Sequence, residues 1–497
     1  MNKIIESNFA PFKFDNSYLR ELDGLYARCP AETVPAPSWV KFNYALAAEL
    51  ELETDEIATQ QGANVFCGNV LPPGAVPIAQ VYAGHQFGNF APQLGDGRAL
   101  LLGEVIDRNG ARRDIQLKGS GRTPFSRSGD GKAAIGPMLR EYLMGEAMYR
   151  LGIPTTRALA VVATGEFVFR DTALPGAVLT RVAASHIRIG TFEYFASRND
   201  VESVRRLADY TIRRHYPELI GKPYIEFLLA VAARQAELIA RWMGVGFIHG
   251  VMNTDNVSLS GETIDYGPCA FLEHYDPATV FSSIDRKGRY AFGNQPMIAQ
   301  WNLARFAETL LPLLDSDSER AVRLATEAIK SFSEQYEDIW LAMMRRKLGL
   351  ERIEADDANL VHAFLDAMHA GQADYILAWR HLADAAESNP APLRNVFRGD
   401  TKKLDEWLPR WLARLTRENR ANAEIAADMR RVNPYIIPRN HLVEQVLDAA
   451  TNDNDFGPLD QLLDVLREPY TESDAASLYA KPALPEQTAS YRTFCGT

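Results

Sequence analysis

Residues 249–267 read H-G-V-M-N-T-D-N, then V-S-L-S-G-E-T-I, then D-Y-G. Asn-Thr-Asp-Asn and Asp-Tyr-Gly are turn-forming runs, because Asn and Asp side chains bond their own backbone and Gly supplies unusual φ values. Between them Val257, Leu259 and Ile264 supply apolar anchors. The pattern predicts a loop, a short hairpin pinned to the core and a second turn. Such a hairpin brings Asn256, at its start, near Asp265, at its end. An amide oxygen and a carboxylate then face one point. That donor set suits a hard cation such as Mg²⁺, which completes its shell with phosphate and water.

The spacing carries more than the turns do. Asn256 lies seven residues after His249, and Asp265-Tyr-Gly follows. Protein kinases carry H-R-D-x-x-x-x-N and then D-F-G. The related small-molecule kinases carry H-G-D-x-x-x-x-N and then I-D-aromatic-G. Those enzymes place an Asp two residues after the His, where it takes the proton of the attacking hydroxyl. Here that position is Val251, which can neither accept a proton nor orient a hydroxyl. Ordinary phosphoryl transfer is therefore disfavoured. Asp255, next to Asn256, offers a displaced general base.

Upstream, the strand-like D-I-Q-L-K ends in Lys118. It resembles the kinase lysine that pairs with nucleotide phosphates, and such a lysine needs a helix carboxylate to hold it. Glu141 is the first choice on the following helix and Glu146 the second. Gly95, Asp96, Gly97 and Arg98 lie where a strand–turn–strand over a phosphate is expected. The loop S-G-D-G-K (128–132) offers further glycine N–H groups. Arg98, Arg181 and Arg188 are unusual for a kinase cleft, which is apolar where the adenine sits. Guanidinium groups suit phosphate through bidentate geometry. Set together in the usual base pocket, which spacing alone does not establish, they would accept a triphosphate tail, and the nucleotide would sit reversed with its α-phosphate towards the acceptor.

Organisation along the 497 residues fits this reading. Residues 1–60 read as an irregular N-terminal extension with a helical patch over 39–52. Residues 61–190 read as a strand-rich N-lobe with one helix over 137–151. Residues 191–320 read as a helical C-lobe core, and 321–497 as a helical extension. Segregated strands and helices predict an α+β, protein-kinase-like two-lobed fold.

Composition bounds the partners. The chain is 46% hydrophobic and 24% charged, normal for a soluble globular protein. It carries 53 Lys and Arg against 64 Asp and Glu, a net charge of −11. That argues against sequence-independent nucleic-acid binding. No run of about 18 apolar residues predicts a membrane span, and no leader-like stretch opens the chain, so a cytoplasmic monomer is expected. Cys29, Cys67, Cys269 and Cys495 show no metal spacing. Cys495, two residues from the end, is expected to be accessible for redox chemistry.

These residues are similar to the selenoprotein O family, known in bacteria as the YdiU proteins. The resemblance rests on Y-A-G-H-Q-F-G-x-F-x-P-Q-L-G-D-G-R (82–98), Q-L-K-G-S-G-x-T-P-F-S-R (116–127), H-G-V-M-N-T-D-N (249–256), I-D-Y-G-P (264–268) and F-C-G-T (494–497). It implies a kinase-like fold and transfer of AMP from ATP to Ser, Thr or Tyr hydroxyls of proteins, with UMP transfer also attributed to the family. It implies Asp255 as proton acceptor and Asn256 and Asp265 as ligands of Mg²⁺ or Mn²⁺. It implies nucleotide contacts from Gly95, Gly97, Arg98, Lys118, Asp130, Gly131, Arg181 and Arg188, with Glu141 pairing Lys118. Some bacterial members pair a cysteine after D-Y-G with the C-terminal one. The stretch D-P-A-T-V-F-S-S here has none. Two rival readings are a small-molecule phosphotransferase and a catalytically silent scaffold.

Overall fold

The computed structural model describes residues 5–6, 9–54, 57–489 and 491–494, the first pair and residues 485 and 489 by backbone alone. Cys495 lies outside the described residues.

Seven antiparallel strands make one sheet: Tyr26–Arg28 (β1), Ser38–Phe42 (β2), Ile78–Gln80 (β3), Ala99–Ile106 (β4), Arg112–Lys118 (β5), Arg157–Phe169 (β6) and Ala173–Ala183 (β7). Their spatial order is β1-β3-β4-β5-β7-β6-β2. The β4–β5 turn is built by Asp107, whose Oδ1 accepts the N–H groups of Asn109 and Ala111, both at 2.9 Å. Alternation along the strands gives the sheet two different faces. Leu102, Ile115, Leu117, Val178 and Val182 pack on one face against Phe12, Leu46 and Phe66. Leu101, Ala177, Leu179 and Val161 pack on the other against Met138, Leu139 and Leu143. Those last residues belong to helix Ile135–Arg150 (α1). Each such buried Leu contributes ~1.5–3 kcal/mol. In D-I-Q-L-K the apolar pair takes the first face, so Gln116 and Lys118 turn to the α1 side.

The expected helical patch over 39–52 forms only in part. Ser38–Phe42 is the edge strand, paired with β6. Its Trp, Val and Phe suit a pleated surface better than a helix. Asn43 then starts a helix, Tyr44–Glu49, by accepting the N–H of Leu46.

The second lobe is helical: Ile189–Ala196 (α2), Val201–His215 (α3), Tyr224–Val245 (α4), Gln295–Leu314 (α5) and Ser318–Lys347 (α6), followed by further helices to residue 489. The fold is thus α+β with a strand-rich N-terminal lobe and a larger helical lobe. The late helix Asn440–Asn452 returns to α1, where Glu444 accepts from Arg140 at 2.9 Å. Among the described residues no helix is long and apolar enough to cross a membrane.

The hairpin expected over 257–264 does not form. Ser258 bridges Arg188 and Thr263 bridges Thr155 instead. The N–H of Leu259 donates to Ile187 and that of Thr263 to Pro154, both at 2.9 Å. Neighbouring segments supply the backbone partners, so the stretch has none to offer itself.

Candidate active site

The two lobes meet at a cavity of about 800 Å³ lined by Gly95, Gly97, Arg98, Lys118, Asp130, Gly131, Glu141, Arg181, Arg188, Asp255, Asn256 and Asp265. Every site residue read from the sequence therefore borders one space. Their roles within it differ.

Its deep end is a charge cluster. Lys118 Nζ, at the end of β5, donates to Glu141 Oε2 at 2.7 Å and to Asp265 Oδ1 at 2.9 Å. Arg181, on β7, donates through Nε to Glu141 Oε1 at 2.7 Å and through Nη2 to Asp265 Oδ1 at 2.6 Å. Arg188, just before α2, donates through Nη1 to Asp265 Oδ2 at 2.6 Å and to the Asp255 carbonyl at 2.8 Å. The first choice for the Lys118 partner, Glu141, is the one the geometry supplies. Glu146 instead pairs with Arg157.

Three cations here face two carboxylates. Burial works to raise the Asp265 carboxyl, but Arg181, Lys118 and Arg188 outweigh it and hold it well below the usual range. Glu141 is likewise lowered, Arg181 and Lys118 outweighing its burial. A third carboxyl, Asp96, is pushed up to about 6 by burial despite Arg188 nearby. Asp96 is therefore still largely ionised at neutral pH, and the three cations are balanced by three carboxylates. What suits a polyanion is the convergence of three cationic side chains at one end of the cleft.

The run 249–256 forms the other wall. His249 is buried and stacked on Trp242. Its Nε2 donates to the Ile264 carbonyl at 2.9 Å, and its Nδ1 accepts the Val251 N–H. Burial lowers its pKa, which keeps the ring neutral and fixes this tautomer. It ties the loop to the segment carrying Asp265. Asp265 itself sits at φ 62, a left-handed conformation that its three cationic partners hold in place. Asn256 Nδ2 donates to the Val251 carbonyl at 3.0 Å, which turns its amide oxygen away from that contact.

Asp255 lies beside Asn256, and burial pushes its carboxyl up to about 6. Gln86 Nε2 donates to its Oδ2 at 3.2 Å. Its Oδ1 is buried with no partner among the described residues. An unpartnered buried oxygen is costly, and it marks where a proton or a ligand group would be received.

A small hairpin, Gly84–Gln86 with Asn89–Ala91, covers this loop. The His85 N–H donates to Thr254 Oγ1 at 2.7 Å and the Phe87 N–H to Asn253 Oδ1 at 3.0 Å. Thr254 and His85 both bond Glu193 on α2. A Cβ on Gly84 would stand 2.5 Å from Asp255 Oδ1, so only glycine permits this approach. The sequence reading missed Gln86, Gly84, Thr254 and Glu193 as supports of Asp255. The run 82–88 was visible as a motif, but nothing in its spacing pointed at residue 255.

The glycine loops depart from expectation. Residues 95–98 make a bend leading into β4, not a strand–turn–strand of their own. The covering loop is 119–132, closed by the Ser120–Lys132 bridge. Asp130 is not in the charge cluster. It takes a bidentate pair from Arg170 at 2.8 and 3.1 Å, on the rim.

Asn256 and Asp265 fit a hard divalent cation by donor type. Among the described residues no group of three or more His, Cys, Asp and Glu stands ready to hold a metal. A cation at these two residues would draw its remaining oxygens from phosphate and water.

A family model described as protein adenylyltransferase SelO matches residues 8–467. The chain belongs to that family. Relatives named protein nucleotidyltransferase YdiU match along their whole length. That of Cereibacter sphaeroides is 59% identical over 98% of this chain and 100% of its own. That of Bradyrhizobium sp. is 58% identical over 98% of this chain and 99% of its own. That of Rhizobium meliloti is 56% identical over the same shares. As a member of the SelO family, the protein is a nucleotidyltransferase.

Proposed function

We propose that the protein transfers AMP from ATP to Ser, Thr or Tyr hydroxyls of other proteins, with the nucleotide reversed in the cleft. One observation carries this: Lys118, Arg181 and Arg188 converge deep in the cavity, where an adenine would need an apolar slot. These cations suit the β- and γ-phosphates of the donor. The nucleoside-linked phosphorus then lies on the Asp255 side of the cluster.

The acceptor hydroxyl gives its proton to the Asp255 carboxylate as its oxygen attacks the α-phosphorus. The bond from that phosphorus to the bridging oxygen breaks, and pyrophosphate leaves on Lys118, Arg181 and Arg188. Gln86 keeps the carboxylate turned towards the acceptor. Val251, at the position of the ordinary kinase base, takes no part. Asn256 and Asp265 would hold Mg²⁺ or Mn²⁺, which neutralises phosphate charge when bound. Positioning and charge stabilisation carry most of the rate. The cations grip phosphates that ATP and UTP share, so UMP transfer is compatible with the same site.

The test uses ATP labelled on the α- or the γ-phosphate, with an acceptor protein. The α label is expected on the protein and must vanish with Asp255→Asn. Retention of the γ label alone would overturn the proposal.

A further inference from the structure

Outside the cluster, one charged feature at the mouth of the cleft has no role in the transfer chemistry. Residues 285–289 read D-R-K-G-R, three cations in a chain whose net charge is −11. The turn is rigid. Asp285 is buried and spends its carboxylate on the backbone, accepting the Arg289 N–H at 2.9 Å and the Tyr290 N–H at 2.7 Å. Gly288, at φ 66, lets it close. Arg286 and Lys287 are left exposed. Ile284, just before them, lines the cleft.

Arg289 is the unusual member. Its guanidinium lies over Trp301, 4.7 Å from the ring centroid, and beside Tyr290. Its Nε and Nη2 are buried with no hydrogen-bond partner among the described residues. These two groups form the edge of a guanidinium that matches both oxygens of a carboxylate. Two unpaired donors under cover cost free energy until an acceptor reaches them. The backbone at Gly88 stands over the guanidinium: a Cβ built there lies 3.5 Å from its central carbon. Arg305, on α5, flanks the same Trp301 ring at 5.1 Å and is paired with Glu308 at 2.8 Å.

The turn is also close to the general base. Tyr290 Oη donates to Asn253 Oδ1 at 2.7 Å, two residues before Asp255. Phe87, beside Gly88, packs its ring 5.1 Å from that of Tyr290. The turn is thus joined directly to the loop that carries Asp255.

We infer that Arg286, Lys287 and Arg289 form a docking site for an acidic stretch of the acceptor protein, next to the hydroxyl that is modified. This rests on the reading of the cleft as a site of transfer to proteins. A carboxylate side chain satisfies the free edge of Arg289 once the Gly88 tip shifts aside. The two exposed cations add salt-sensitive attraction. A nucleic acid is disfavoured, because three cations on an acidic molecule offer no extended basic track.

The experiment takes the full chain and three fluorescent peptides, each with one central Tyr flanked by acidic, neutral or basic residues. Binding is read by anisotropy at low and high salt. Transfer is read with α- and γ-labelled ATP. The acidic peptide is expected to bind about tenfold tighter than the neutral one at low salt, with the advantage shrinking as salt rises. Arg289→Gln and the surface pair Arg286→Gln with Lys287→Gln should each erode that advantage and leave the neutral peptide unchanged. The surface pair keeps the test valid if Arg289→Gln perturbs folding. Equal binding of all three peptides, or an acidic preference that survives both variants, overturns the inference. The label separates the two claims. An acidic preference with only γ label transferred keeps the docking site and removes AMP transfer, whereas α label on all peptides without preference does the reverse.

Discussion

Gln86 donates to one oxygen of Asp255 at 3.2 Å and leaves the other, Oδ1, buried and unpartnered. A carboxylate so held has one free lone-pair face, set by a side chain from the opposite lobe. Gln86→Leu removes that restraint with little change in size. Transfer should fall by about tenfold to a hundredfold, while nucleotide affinity holds. Asp255→Asn, which removes the proposed proton acceptor itself, should cost about 10²–10⁴. Steady-state kinetics beside nucleotide titration separates the two effects.

Gly84→Ala tests the same contact from its other side. The added methyl would stand 2.5 Å from Asp255 Oδ1 and 3.0 Å from its Cβ and Cγ. Either the hairpin or the carboxylate must move. A fall in transfer of about a hundredfold is expected with the melting curve nearly unchanged. Full activity would show that the base does not depend on this approach.

Arg181 is buried between Glu141 and Asp265. Arg181→Met should leave both carboxylates with less compensation and cost about 3–5 kcal/mol of stability. Adding Glu141→Gln removes one of the stranded charges and should recover part of the loss. A double-mutant cycle in denaturant measures the coupling.

Lys347 is a buried lysine with no carboxylate partner among the described residues. Its Nζ donates to the Gly244 carbonyl at 2.8 Å and lies 5.0 Å from the Trp379 ring centroid. Burial lowers its pKa to about 7. The unfolded chain holds this proton up to about 10.4. Between those values the unfolded state binds more protons, so this group makes stability rise with pH from about 7 to 10. Below 7 the penalty is fully present. Lys347→Met should remove that slope, so the variant gains most over the parent near neutral pH. Melting temperatures of both proteins across pH 6 to 10 check it; parallel curves would contradict it.

The site was legible in the sequence where chemistry needs a residue type at a fixed spacing. His249, Asn256 and Asp265 could be placed together because one loop carries all three. Lys118 and Glu141 followed from a strand running into a helix. Convergence of Arg181 and Arg188 on Asp265 was not readable from spacing, since it depends on how β7 and the start of α2 sit in three dimensions. Gln86 was opaque for the same reason: its partner is 169 residues away. The hairpin expected over 257–264 failed because backbone partners from residues 154–156 and 187–189 compete for its hydrogen bonds. Residues 39–42 form a strand where the local pattern reads as helix, because their edge pairing with β6 is a tertiary contact that no local pattern announces.

The orientation of the nucleotide decides the account. A crystal structure with a non-hydrolysable ATP analogue and Mg²⁺ measures it directly. The predicted result has the γ-phosphate on Lys118, Arg181 and Arg188, with the α-phosphate nearest Asp255. An adenine ring seated among those three cations, with the γ-phosphate at the mouth, would contradict it.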